Sequence, residues 1–267
     1  MDFGMKNRLS RLFDKESGRA VWLAIDHGYF LGPVSKLEDP ARTIKPLIPF
    51  TDALMLTRGI LRTCVDASLD IPFILRVSGG NSIVGPALSN EGIQTSMEEA
   101  IRLNASAVAM SVYIGTEHEH QTLINLGKLV DEGQRYGMPV LAVTAVGKEL
   151  EKRDARYLSL CCRIAAEIGA SAVKTYYCED FAKIVKSCPV PVVVAGGPKL
   201  DTELDALKLA HDAVKQGAKG IDMGRNIWQS PKAVGMIKAI GSIVHDGASV
   251  KEAVRLLACK AIDSSRH

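Results

Sequence analysis

The chain has 267 residues, 47% of them hydrophobic, which is enough for one large domain or two small ones around a sizeable core. Its 33 basic and 30 acidic residues nearly balance and form no long basic run, which argues against nucleic acid as the main partner. No apolar run reaches the ~18 residues that a membrane helix needs, the first residues lack the build of a signal peptide, and the six cysteines show no C-x-x-C spacing. The expectation is a soluble, cytoplasmic globular protein with no membrane partner, zinc knuckle or disulfide framework.

In chain order, residues 5–13 place Met5, Leu9, Leu12 and Phe13 at helical spacing among Lys6, Arg8 and Arg11, so a short amphipathic helix opens the chain. Ala20-Val21-Trp22-Leu23-Ala24-Ile25 then reads as a buried strand ending in Asp26-His27-Gly28. The next stretch, Asp26 to Phe50, holds four prolines and is the longest connection, a candidate active-site loop. Further apolar runs follow at Ala53–Leu56, ending in Thr57-Arg58-Gly59, at Pro72–Leu75, ending in Arg76, and at Ala107–Ser111. Helical patterns at Met97–Leu103 and Leu123–Tyr136 flank the last of these. Met138–Val143 ends in Thr144, and the helix Tyr157–Ile168 leads into Ala172-Val173-Lys174. Helix Phe181–Val185 precedes Val190–Ala195, which ends in Gly196-Gly197. Helix Thr202–Gln216 precedes Gly220–Met223, which ends in Gly224-Arg225, and two helices close the chain, Ala233–Val244 and Val250–Ala261.

These are eight short strands, each separated from the next by helix or loop, and several helices end on glycine: Gly137, Gly169 and Gly217. Unbroken apolar strands argue a parallel sheet covered on both faces. The fold class expected is α/β, a single (β/α)8 TIM barrel spanning residues 1–267, with an N-terminal helix and C-terminal closing helices. A doubly wound open sheet would not need eight strands.

In such a barrel, function resides at the carboxyl ends of the strands. Lys174 is the residue of most interest there. An apolar surround disfavours the ammonium form, and a free amine is a nucleophile towards carbonyls, so Lys174 suits Schiff-base chemistry. The alternative is a lysine that ends a strand and points to water. Gly196-Gly197 and Gly224-Arg225, on neighbouring strands, can turn backbone N–H groups towards one spot and add a charged fork, the requirements of a phosphate cradle; each could also be a tight turn. Asp26 and His27 could form an acid/base pair or a cap followed by a structural histidine. Arg58, Thr144 and Tyr176 also fall near strand ends and are candidate pocket residues. The Glu117-His118-Glu119-His120 run does not converge on a metal and reads as a solvated helix start, so no metal site is expected. Cys178 lacks an adjacent base and reads as structural.

The segments Ala24-Ile25-Asp26-His27-Gly28, Val173-Lys174, Ala195-Gly196-Gly197-Pro198-Lys199 and Met223-Gly224-Arg225-Asn226-Ile227-Trp228-Gln229 resemble the archaeal-type class I aldolases, the group that includes fructose-bisphosphate and deoxyribose-phosphate aldolases. The resemblance runs along nearly the whole chain. It implies that Lys174 forms the Schiff base, that Gly196, Gly197, Gly224 and Arg225 hold a substrate phosphate, and that Asp26 lies in the catalytic pocket. One departure stands out. Where those aldolases carry a proton-handling tyrosine after the fifth strand, this chain has Ala145, in Ala142-Val143-Thr144-Ala145-Val146-Gly147-Lys148. That segment, with Asp26-His27-Gly28-Tyr29-Phe30, Thr57-Arg58-Gly59-Ile60-Leu61-Arg62 and Lys174-Thr175-Tyr176-Tyr177, looks like a thiolase branch of the same group. That resemblance implies an acyltransferase that cleaves a phosphorylated diketone with coenzyme A as co-substrate and no bound cofactor. Asp26, His27 and Lys148 are then the candidates for moving protons. Aldol cleavage of a sugar phosphate remains the alternative, and a catalytically silent sugar-phosphate sensor a third. The resemblance also implies a homo-oligomer, a ring or double ring such as a decamer.

Overall fold

The computed structural model describes residues 2–145 and 153–257. Helix α1 (Phe3–Ser10), capped by the Asp2 side chain on the Met5 amide, precedes strand β1 (Ala20–Ala24). The proline-rich connection contains two short helices, α2 (Gly28–Leu31) and α3 (Pro40–Ile44), before β2 (Ala53–Thr57) and α4 (Arg58–Cys64). Strand β3 (Phe73–Arg76) follows. A small antiparallel pair, β4 (Ser78–Gly79) and β5 (Gly92–Ile93), comes next, then α5 (Met97–Arg102) and β6 (Ala107–Val112). The remaining units are α6 (Glu119–Tyr136), β7 (Val140–Thr144), α7 (Ala155–Ile168), β8 (Ala172–Tyr176), α8 (Phe181–Ser187) and β9 (Val192–Ala195). The last are α9 (Glu203–Lys215), β10 (Gly220–Met223), α10 (Arg225–Trp228), α11 (Ala233–Asp246) and α12 (Val250–Leu257).

Eight of these strands, all parallel, close into a barrel in the order β1-β10-β9-β8-β7-β6-β3-β2, with β2 pairing back to β1. The expected (β/α)8 architecture is therefore present, with the predicted helices and strands in place to within a few residues, except that the end of the last predicted helix, 258–261, lies outside the described residues. Gly137, Gly169 and Gly217 take positive φ where a helix gives way to the next strand, the conformation that leaves glycine free of Cβ strain.

Strand residues alternate between two cores. Ala20, Trp22, Ala53, Met55, Ile74, Ala107, Ala109, Leu141, Ala172 and Val193 fill the barrel interior. Leu12 joins them from below, and its carbonyl accepts from Trp22 Nε1 at 2.6 Å, so the N-terminal segment plugs one end of the barrel. The intervening residues, such as Val21, Leu54, Val108, Val173 and Ile221, pack outward against the helices. The interior phase that starts at Ala172 reaches Lys174 and then Tyr176, and the one that starts at Gly220 reaches Asp222. Among the described residues, no helix is long and apolar enough to cross a membrane.

Candidate active site

At the carboxyl end of the barrel a pocket of about 150 Å3 is lined by Lys174, Asp26, His27, Thr144, Tyr176, Gly196, Gly197, Gly224 and Arg225, with Arg76, Glu91 and Asp222 among the other walls. Lys174 lies within β8 and not at its last residue, as the sequence had suggested; Tyr176 occupies that end. The lysine is buried, with its ammonium nitrogen 2.7 Å from Asp222 Oδ2 and 3.5 Å from Met55 Sδ. It does not point to water. Asp222 is itself fully buried on β10, and that burial raises its carboxyl above the ordinary value, with Lys174 pulling only part of the way back.

Asp26 and His27 follow β1 directly. Burial works to raise the Asp26 carboxyl, but Arg76, Lys174 and His27 together outweigh it and hold the group below its usual range. Arg76 Nε donates to Asp26 Oδ2 at 2.9 Å, and Arg76 Nη1 donates to Ser111 Oγ at 2.9 Å. Two buried carboxylates thus sit near one amine with their proton affinities driven apart, Asp222 upward and Asp26 downward. This is the pattern by which environment assigns base and spectator roles. His27 is pushed down to about 4, chiefly by burial, with the Arg225, Lys174 and Arg76 charges adding to it against Asp26. It is a neutral imidazole at pH 7. Its ring packs edge-on to Trp228 at 5.6 Å between centroids, and its buried Nδ1 makes no hydrogen bond among the described residues.

A third carboxylate, Glu91, also lines the pocket. Glu91 accepts from Tyr29 OH at 2.7 Å, Tyr113 OH at 3.0 Å and Ser78 Oγ at 2.6 Å. Burial and the Glu91 charge raise both phenols above their ordinary value, so each stays protonated as a donor.

The glycine turns lie together as a cradle. Asn226, buried behind them, donates to Gly196 O at 2.8 Å and Pro198 O at 3.1 Å and accepts from Leu200 N at 2.8 Å, which pins the loop after β9 to the loop after β10. Gly197 has φ +67, a conformation natural to glycine. A Cβ on Gly224 would stand 2.4 Å from Ala24 O and 2.6 Å from His27 Cε1, so only glycine allows these chains so close. Two guanidinium groups flank the cradle. Arg225 lines the pocket, Arg153 Nη1 lies 3.9 Å from where a Gly197 Cβ would be, and Arg153 stacks on Tyr176 at 3.7 Å. Burial lowers the Arg225 guanidinium, and the Arg153 charge adds to it against Tyr176 and Asp26. The buried Nε of both arginines makes no hydrogen bond among the described residues. Two guanidinium groups with unused buried Nε donors beside a glycine turn fit a phosphate dianion.

The structure thus brings together all but two of the site residues chosen from sequence. Arg58 is exposed at the start of α4 and does not line this pocket. Lys148 lies outside the described residues. Sequence reasoning passed over Asp222, Arg76, Glu91, Asn226 and Arg153. Asp222 and Arg76 carried a signal, since each is a charge at the interior phase of an otherwise apolar strand. Glu91 and Arg153 sit in loops, and only the closed barrel places them. Glu117 and His118 pair at 3.3 Å just before α6, and among the described residues no group of three or more His, Cys, Asp or Glu side chains is disposed to hold a metal.

Residues 20–230 match the family model described as DeoC/LacD family aldolase. Curated relatives named 3-hydroxy-5-phosphonooxypentane-2,4-dione thiolase, from Enterobacter sp. (strain 638) and Klebsiella pneumoniae, are each 55% identical over 254 residues, 95% of this chain and 85% of theirs. Among solved structures, an archaeal fructose 1,6-bisphosphate aldolase superposes with a TM-score of 0.80 at 29% identity, covering 91% of this chain and 100% of that one. A second, with its catalytic lysine covalently bound to the carbinolamine intermediate of the substrate, matches at the same TM-score and identity over 90% of this chain and 99% of its own. With the barrel, the interior lysine and the glycine cradle in hand, these matches establish that the chain belongs to the DeoC/LacD family of aldolases.

Proposed function

We propose that this enzyme cleaves 3-hydroxy-5-phosphonooxypentane-2,4-dione with coenzyme A to give dihydroxyacetone phosphate and acetyl-CoA, with Lys174 as the Schiff-base lysine. The observation that carries the chemistry is the buried Lys174–Asp222 pair at 2.7 Å, on the same barrel mouth as the glycine cradle. The thiolase names of relatives at 52–55% identity supply the substrate.

The geometry supports the following steps. The cradle and its two arginines hold the phosphate and so present the adjacent ketone to Lys174. The amine attacks as the free base. Its proton has Asp222 to go to, and burial makes that carboxylate a better base than an exposed one. Dehydration of the carbinolamine leaves an iminium, which serves as the electron sink. The coenzyme A thiolate then adds to the acetyl carbonyl. Collapse of that adduct breaks the bond to the hydroxyl-bearing carbon, acetyl-CoA leaves, and the bonding electrons enter the iminium as an enamine. The proton first lost by the thiol returns to that carbon, and water releases dihydroxyacetone phosphate and the free lysine. His27, held neutral, can accept or pass a proton through its unused Nδ1 without adding charge.

Aldol cleavage would instead need a base for a substrate hydroxyl. Ala145 lines the pocket where aldolases of the group carry tyrosine, and Tyr29 and Tyr113 are held protonated as donors to Glu91. This supports thiolysis over the sugar-phosphate aldolase reading. We also read the enzyme as a cytoplasmic homo-oligomer. The test is incubation of the diketone phosphate with and without coenzyme A. Acetyl-CoA formed only with coenzyme A supports the proposal; triose phosphate released from fructose bisphosphate without it would transfer the assignment to the aldolases.

A further inference from the structure

The thiol co-substrate needs a route to the acetyl carbon, and the 150 Å3 lysine pocket is small and lined by charged and apolar residues alike. A second cavity, of about 390 Å3, adjoins it on the side of the loops that follow β1 and β2. Asp26 and Tyr29 line both cavities, so these two residues stand where the cavities meet. The walls of the second cavity are mostly apolar: Ile25, Pro33, Leu37 and Ile60, with Glu38 and Thr57 as the polar exceptions besides Asp26. Gly32 and Gly59 also line it, and a Cβ on either would meet nothing within 4 Å, so open space stands in front of both. Arg58 and Lys36 are exposed, each next in sequence to a residue of the wall. Cavities of similar size around Arg11 and Asp70 share no residue with the lysine pocket.

From this continuity we infer that the cavity between the β1 and β2 loops is the entry for coenzyme A. The pantetheine arm lies along Pro33, Leu37 and Ile60, its thiol reaches the substrate past Asp26 and Tyr29, and its phosphates remain outside towards Arg58 and Lys36. The inference rests on the thiolase reading. It matches each part of the molecule to its surroundings: a long, mostly apolar arm to an apolar slot of ligand size, and a polyanionic nucleotide to exposed cations. It also gives Arg58 a function that the lysine pocket does not.

Steady-state kinetics with coenzyme A varied, together with borohydride trapping of dihydroxyacetone phosphate, test it. Gly59→Phe places a ring in the open space and should raise KM for coenzyme A at least tenfold, while trapping on the lysine proceeds as in the wild type, which also shows the variant to be folded. Arg58→Glu, a surface change, should raise KM for coenzyme A severalfold and leave KM for pantetheine, which has no phosphates, within twofold. If the wild type forms acetyl-CoA but both variants keep a wild-type KM for coenzyme A, the inference is overturned. If the wild type forms no acetyl-CoA, the thiolase reading itself fails, and the cavity loses its occupant with it.

Discussion

Replacing Asp222 with asparagine removes the carboxylate nearest the reactive amine and little else, because the shape of the side chain is kept. In the native site Asp222 Oδ2 is 2.7 Å from Lys174, and among the described residues the other close partner of the amine is the Met55 sulfur at 3.5 Å. Loss of a positioned proton acceptor of this kind costs about 10²–10⁴ in rate, so kcat for acetyl-CoA formation should fall by that factor. Dihydroxyacetone phosphate should still bind with near-normal affinity, since the cradle is untouched. Stability should fall too. Removing one member of a buried pair costs about 3–5 kcal/mol, and at about 2–4 °C per kcal/mol for a chain of this size the Tm should drop by roughly 6–20 °C. Stopped-flow trapping of the imine separates the effects, because the variant should form the adduct slowly but with the same phosphate dependence. A variant with kcat within threefold of wild type, correctly folded, would refute the assignment of Asp222 as the group that takes the lysine proton.

The fold was legible because each barrel strand is a short apolar run between helices that close on glycine or a small polar residue, and that pattern survives without any tertiary knowledge. Lys174 was legible for a related reason: a charge that interrupts such a run has to go somewhere. Applied with the period of two from Ala172 and Gly220, the same argument puts both Lys174 and Asp222 in the interior, and only the first was chosen from sequence. Gly196-Gly197 and Gly224-Arg225 were found through their order on neighbouring strands. Asn226 stood next to them in sequence, but its three hydrogen bonds to the facing loop become visible only when β9 and β10 lie side by side. Glu91 and Arg153 could not be placed at all, since loop residues gain their positions from the elements that hold the loop. Arg58 was misassigned to the lysine pocket because the end of β2 passes straight into α4, which carries Arg58 to the exposed surface.

Three further outcomes are expected. Gly224→Ala forces a methyl to within 2.4 Å of the Ala24 carbonyl and 2.6 Å of His27; overpacking of about 1–3 kcal/mol should lower the Tm in a thermal melt and reduce kcat/KM, and unchanged values would show that the two loops are free to separate. Asn226→Ala removes the pin between the phosphate loops, so KM for the diketone phosphate should rise about tenfold, the equivalent of about 1.4 kcal/mol, with kcat much less affected; an unchanged KM would contradict the positioning role. His245, hydrogen-bonded to Asp52 at 3.2 Å between Nε2 and Oδ2, is raised above its ordinary value mainly by that carboxylate. Its stabilisation is complete below the unfolded value of about 6.5 and is lost as pH rises through the higher folded value. His245→Gln should therefore lower the Tm more at pH 5.5 than at pH 9, and an equal loss at both would remove the Asp52 pairing as the cause.

Catalysis turns above all on which amine condenses with the phosphorylated ketone. Borohydride reduction of the enzyme with dihydroxyacetone phosphate, followed by digestion and mass spectrometry, reads this directly. The predicted result is a single reduced adduct on the peptide that carries Lys174, abolished in Lys174→Ala together with acetyl-CoA formation. An adduct on any other lysine, or full turnover by Lys174→Ala, would contradict it.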